Sequence, residues 1–226
     1  MAADVLLSCK NLRRCEVGAD PGNGAVVKAE DDRYVALCGG AGIHGAALHA
    51  VAVIQQDILC TELVIADAYA KGTLPKDQLR RYYEAMKVTA ENTDASHTLF
   101  CKYGFDPAGE DSESVSKTLE FAYNDWCVAQ IAKVLGEETD YQLYMERSQY
   151  WKNIFDSESG FMRPRELGGW AHDFDPTKVS AHFTEANSWQ YSFFVPQDIA
   201  GHIAAFGGPE AYTAKLDALF NADLNG

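Results

Sequence analysis

The chain of 226 residues is short of basic side chains: 19 Lys and Arg face 33 Asp and Glu, a formal charge of −14. A surface of that sign repels phosphate backbones and anionic headgroups, which argues against nucleic-acid and membrane-surface partners. No run approaches the ~20 apolar residues of a membrane-spanning helix; the most apolar stretch, Ala46–Ile54, runs into Gln55, Gln56 and Asp57. The start lacks the basic and apolar pattern of an export signal. Met1-Ala-Ala-Asp4 is acidic and only Val5-Leu6-Leu7 follows, so no intact signal peptide is expected. Cys9, Cys15, Cys38, Cys60, Cys101 and Cys127 include no Cys-x-x-Cys pair, and their irregular spacing predicts mostly buried thiols, with disulfides unsupported. The six histidines form neither His-Glu-x-x-His nor an i, i+4 pair, so no protein-only zinc site is expected. Gly-x-Ser-x-Gly is absent too, and acyl-transfer chemistry has no support.

What is present suffices for a large core: 47% of residues are hydrophobic and 12% aromatic. Residues 1–33 mix charge with Gly18, Pro21, Gly22 and Gly24 without periodicity and read as loop. Beyond residue 43 helical spacing dominates. Segments 43–57 and 61–71 are apolar at helical intervals, and Pro75 suits the first turn of a helix over 76–91 with Leu79, Tyr82, Met86 and Ala90 as its buried stripe. Val115, Leu119, Ala122, Trp126 and Ala129 define a helix over 115–135, with Ser112 or Ser114 as cap and Gly136 as stop. Tyr141, Tyr144, Ser148, Trp151 and Phe155 define its antiparallel partner. Between 156 and 188 the periodicity lapses into a long connection, the kind that lines a site. Pro196 separates a short segment from a helix over 197–206, and Pro209 opens a last helix reaching Phe220.

Two segments could carry chemistry. Tyr34-Val-Ala-Leu-Cys38 before Gly40-x-Gly42-x-x-Gly45, with Glu62 further on, formally matches a dinucleotide fingerprint. The consecutive helices that follow lack the βαβ alternation it requires, so a glycine-rich loop is the better reading. In His182-Phe-Thr-Glu185-Ala-Asn187-Ser-Trp189-Gln190-Tyr191, continuing to Phe194 and Asp198, one glutamate stands among five aromatic residues. Partial desolvation there would raise its pKa, as a carboxylic general acid requires. Aromatic faces beside Asn187 and Gln190 amides suit a carbohydrate. The plainer alternative packs the rings in the core and leaves Glu185 solvated or paired.

Three stretches carry a family likeness: Ser114 through Gln130 (SVSKTLEFAYNDWCVAQ), Phe155-Asp with Gly160-Phe-Met-Arg163, and Phe183 through Tyr191 with Val195-Pro196-x-Asp198. Their order and spacing resemble glycoside hydrolase family 92, the calcium-dependent exo-acting α-mannosidases. Ile65 through Gly72 and Gly207-Gly208 through Phe220 extend the likeness over residues 64–220. The resemblance implies a mainly α fold, an incomplete (α/α)6 toroid of antiparallel helical hairpins over 61–226. Segment 1–60 is a poorly matching, glycine-containing N-terminal region. It also implies an inverting removal of mannose from glycans, with Glu185 as general acid and Asn187, Trp189 and Gln190 beside the sugar. Partners would be a mannose-containing glycan and the rest of the same enzyme, a β-sandwich domain and the remaining toroid. Full-length members suggest a periplasmic or extracellular location.

Inversion needs a second carboxylate roughly 6.5–9.5 Å from the acid. The family's Gly-Asn-Asp-type base segment and Gly-Asn-Glu-Pro-type calcium segment do not occur here. Asp67, Asp125, Asp173, Asp175 and Asp198 read as caps, loop solvators or supporting groups. No metal ligand is therefore assigned, most of the Ca2+ shell is expected to be missing, and the isolated chain is expected to be inactive. The rival reading is a non-catalytic helical module that binds carbohydrate or a partner through the aromatic loop 182–198.

Overall fold

The computed structural model describes residues 16–20, 24–28, 34–36, 61–91 and 95–221. Two units divide the chain, residues 1–89 and 90–226.

In the first unit the reading of residues 1–33 as loop is corrected over 16–20 and 24–28; the rest of that segment lies outside the described residues. β1 (Glu16–Asp20), β2 (Gly24–Lys28) and β3 (Tyr34–Ala36) form an antiparallel sheet in sequence order. Glu16 pairs with Lys28 and Val26 with Ala36. Of the glycines that signalled a loop, Gly18 lies within β1 and Gly24 opens β2, while Pro21, Gly22 and Asn23 lie outside the described residues. β3 pairs antiparallel with β2, and among the described residues it has no parallel strand partner of the kind a βαβ unit needs. The glycine segment 40–45 and the expected helix over 43–57 lie outside the described residues. Glu62 is buried in the first turn of helix α1 (Thr61–Ala70), not at a strand end, which removes the dinucleotide fingerprint's acidic partner.

Pro75 precedes a 3-10 turn (Lys76–Gln78) that leads into α2 (Leu79–Ala90). Leu79, Met86 and Ala90 are buried as expected, while Tyr83, four residues after Leu79, takes the buried place expected of Tyr82, which is only half-buried.

The second unit is organised by α4 (Ser114–Leu135), with α3 (Ala95–Tyr103) before it and α5 (Glu138–Arg147) after it. Gly136 ends α4 at φ 77°, its N–H bonded to the carbonyls of Ala132 and Lys133. The chain therefore reverses at once, and α5 returns antiparallel. Gln130 Nε2 donates to Met145 Sδ at 3.7 Å, and Arg147 reaches Asp125. That second contact is a two-pronged buried ion pair, Nε to Oδ2 at 2.7 Å and Nη2 to Oδ1 at 3.0 Å. Nη2 also donates to Ala90 O and to His97 Nε2, so the proton of a neutral His97 sits on Nδ1.

No serine caps α4. Glu113 occupies the cap position with φ 56° and no side-chain cap bond; the N–H groups of Glu113 and Val115 instead donate to the carbonyls of Ala181 and His182. The long connection is not featureless. It holds two small hairpins, β4 (Phe155–Asp156) with β5 (Phe161–Met162) and β6 (Arg165–Glu166) with β7 (Gly169–Trp170). The break at Pro196 stands: α6 (Ser188–Tyr191) ends before it, and α7 (Ile199–Ala205) starts at the Asp198 cap, whose Oδ1 accepts from Gly201 N. α8 (Pro209–Asn221) follows. Of the two cysteines whose side chains are described, Cys127 is buried and Cys101 exposed.

The core of this unit gathers Phe105, Val115, Leu119, Trp151, Ile154, Phe155, Met162, Phe183 and Val195. His202 lies inside an aromatic shell beside it, with Trp151, Phe155, Phe206 and Tyr212 rings at 5.0–6.0 Å. Neither of its ring nitrogens meets a hydrogen-bond partner among the described residues. Burial pushes its pKa down to about 4 from 6.5.

The unfolded chain thus takes up this proton as pH falls through 6.5, while the folded chain resists until about 4. Stability should drop across that window by up to about 3 kcal/mol. Buried Glu62 and half-buried Glu120, both raised to about 7, act oppositely between pH 7 and 4.5. The difference between wild type and His202→Phe in denaturant midpoints isolates the histidine: the variant should lose the acid-side decline that His202 causes.

Candidate active site

The segment Phe183–Tyr191 is fixed from both sides. α4 supplies Ser116 Oγ, which accepts from Thr184 N at 2.9 Å, and Ser114 Oγ, 3.4 Å from His182 Nδ1. From the connection, Met162 O accepts from Ser188 Oγ at 2.6 Å, and Met162 N donates to Ser192 Oγ at 2.8 Å. Pro176 O accepts from Trp189 N. Phe183 reaches into the core, and its ring lies 5.8 Å from Tyr191.

Among these anchored neighbours Glu185 stands apart. It is exposed, its backbone is left-handed at φ 52°, and it makes no hydrogen bond or ion pair among the described residues. The expected desolvation in an aromatic recess is therefore a correction. The aromatic residues of the segment turn to the core and to one another, and this chain leaves the carboxyl in water.

Asn187 is buried, and its amide is already engaged. It caps α6 by accepting from Gln190 N, Gln190 Oε1 accepts from Asn187 N at 3.1 Å, and Asn187 Nδ2 donates to Thr177 O at 3.0 Å. This capping box fixes the backbone just after Glu185. Gln190 keeps an exposed amide nitrogen beyond it. Trp189 is half-buried, its ring edge-on to Phe161 at 4.7 Å. Lys215 Nζ lies 3.2 Å from the Phe161 centroid and 4.7 Å from that of Trp189. The three residues expected beside a sugar are thus near one another in the chain, but two of them have clear structural work.

A further carboxyl lies on α4 between two residues that contact this part of the chain. Glu120 is one turn beyond Ser116 on α4 and three residues before Tyr123, whose ring meets Phe194 edge-on at 6.0 Å. Its Oε2 is buried without a hydrogen-bond partner. Burial, aided by the Glu113 carboxylate, pushes its pKa up to about 7. Only its place within the Ser114–Gln130 motif could have flagged it.

The other carboxylates keep structural roles. Asp67 pairs with Lys71, Asp125 with Arg147, and Asp156 with Arg163. Asp175 bonds Thr177, and Asp198 caps α7. Among the described residues no three His, Cys, Asp or Glu side chains gather where they could hold a metal ion. The side chains described do not fit a calcium shell.

The sequence profile described as the glycosyl hydrolase family 92 catalytic domain matches residues 60–226. The chain belongs to this family. A protein of Arthroderma benhamiae named an uncharacterized secreted glycosidase is 29% identical over 204 residues, 72% of this chain and 26% of that protein. A family 92 α-mannosidase of Bacteroides thetaiotaomicron is 38% identical, with a TM-score of 0.67 over 73% of this chain and 22% of its own. Its complex with mannoimidazole superposes with a TM-score of 0.70 at 32% identity, covering 80% of this chain and 27% of that one. A family 92 inverting mannosidase of the same species reaches a TM-score of 0.74 at 23% identity, over 94% and 35% of the two chains, and this likeness speaks for the fold. The family 92 chain is thus mainly α, with the helical hairpins of an incomplete (α/α)6 toroid. It spans about a quarter of the length of the first two relatives.

Asn187→Ala removes both the cap and the bond to Thr177. It should destabilise the second unit by about 1–2 kcal/mol, with Asn187→Asp, which retains the cap acceptor, losing less. Urea midpoints check the order.

Proposed function

We propose that this chain carries the acid-bearing segment of an inverting, mannose-releasing glycoside hydrolase. The carrying observation is the contrast at one position: the residues flanking Glu185 are anchored to α4, the connection or the core, while Glu185 itself is partnerless and held in a left-handed turn. A carboxyl placed so can meet a glycosidic oxygen without first breaking an ion pair. Glu185 protonates the departing oxygen, and Trp189 and Gln190 border the sugar. Asn187 acts by holding the backbone that presents the acid.

The substrate is a mannose-terminated glycan, a reading supported by family membership and by the mannoimidazole complex of a relative. The water-activating base and the calcium shell come from other parts of the enzyme, a reading supported by Asp67, Asp125 and Asp198 being already paired or capping. Turnover therefore requires the β-sandwich domain and the remaining toroid, and these 226 residues alone are inactive. No step here runs through calcium. The secreted name of one relative supports an extracellular site of action. Among the described residues no helix is long and apolar enough to cross a membrane.

The test is mannose release from an α-linked mannobiose by the complete enzyme, with and without a chelator. Release should be calcium-dependent, with β-mannose as the first anomer by proton NMR. Glu185→Gln should slow it by about 10²–10⁴-fold, and less on an activated aryl mannoside, whose good leaving group needs little protonation. Unchanged release by the variant on the disaccharide would remove Glu185 from this role. Saturable mannobiose binding without any release would favour the non-catalytic module.

A further inference from the structure

We propose that Glu120 is a second carboxyl of this site, a substrate-binding group that hydrogen-bonds a hydroxyl of the hexose whose leaving oxygen Glu185 protonates. The inference rests on the mannosidase reading and adds a residue to it.

The position follows from helix geometry. Residues three and four apart share a face of α4, so Ser116, Glu120 and Tyr123 line one side. Ser116 is bonded to Thr184, and Tyr123 touches Phe194. Glu120 lies between these two contacts along the helix, and the stretch of chain that they bound holds Glu185, Trp189 and Gln190. A surface glutamate with only a structural role is normally hydrated or ion-paired, whereas Glu120 buries Oε2 with no partner.

Along the helix the charged groups are Glu113 and Lys117, the latter committed to Asp111 at 2.6 Å. Across the contact stand His182, Glu185 and Tyr191, whose hydroxyl donates to Thr184 O. No cation of this set pairs with Glu120. Burial and Glu113 keep it protonated up to about pH 7, and a carboxylic acid then offers one O–H donor and one carbonyl acceptor. A sugar hydroxyl, itself donor and acceptor, complements that pair.

Steady-state kinetics of the complete enzyme on mannobiose between pH 5 and 8 test the assignment. Glu120→Ala should raise KM about tenfold or more with a smaller change in kcat. Glu120→Gln, which keeps a donor and an acceptor but cannot ionise, should restore KM at acid pH and abolish the rise in KM that wild type shows above about pH 7. Wild-type KM in Glu120→Ala at every pH overturns the proposal. So does equal impairment of both variants with the pH dependence of KM retained. Should Glu120→Ala fail to fold, as read by its thermal midpoint, the pH profile of Glu120→Gln decides alone. If wild type is active and silenced by Glu185→Gln while Glu120→Ala is unaffected, only the role of Glu120 falls. A wild type that releases no mannose overturns the mannosidase reading and this inference with it.

Discussion

The second unit depends on α4 being buried around its circumference. Thirteen of its residues are buried, among them Ser114, Ser116, Thr118, Asn124 and Asp125, so the helix presents no wholly solvated face. A polar side chain in that position must find a partner from another element or cost the helix its place. The partners then dictate what surrounds it. Asp125 brings in Arg147 and, through it, His97 and the carbonyl of Ala90. Thr118 Oγ1 accepts from Asp106 N and donates to Ser114 O. Ser116 brings in Thr184, next to Glu185. The arrangement of the candidate site is therefore a consequence of satisfying the central helix.

The same constraint explains which parts of the fold could be read in advance. α4 is long and Gly136 after it fixes the reversal, so its pairing with α5 was visible in the pattern, although the stripe from Tyr141 to Phe155 overran α5, which ends at Arg147 and leaves Trp151 in a 3-10 turn and Phe155 in β4. α3 was missed because nine residues that include Ser96, His97, Thr98 and Lys102 carry no clear stripe; its buried His97 meets Arg147, fifty positions away. Hairpins of two residues per strand have no period to detect. The cap of α4 was misplaced because its N–H groups are satisfied by carbonyls of residues 181 and 182, a tertiary arrangement that no local serine rule describes.

The site was legible to a different depth. Glu185, Asn187, Trp189 and Gln190 stand together in one motif, and the chain folds them into one anchored turn. Their division of labour was not legible. An amide is equally suited to a sugar hydroxyl and to a helix end, and only the contact from Asn187 to Thr177 shows that one end of it is occupied. Aromatic density suggested a recess around Glu185, but composition does not say which way rings point, and here they point inward. Glu120 looked like one more charge on a helix because desolvation depends on what packs above it.

The left-handed backbone at Glu185 bears on how such a segment persists through sequence drift. A non-glycine residue there carries a conformational penalty of about 1 kcal/mol, and among the described residues the exposed Glu185 side chain makes no hydrogen bond or ion pair with which to offset it. Selection for thermal robustness alone would let glycine or asparagine take the position. A redesign guided solely by melting temperature would accordingly erase this glutamate early, so the position marks where durability and chemistry make opposing demands on the chain.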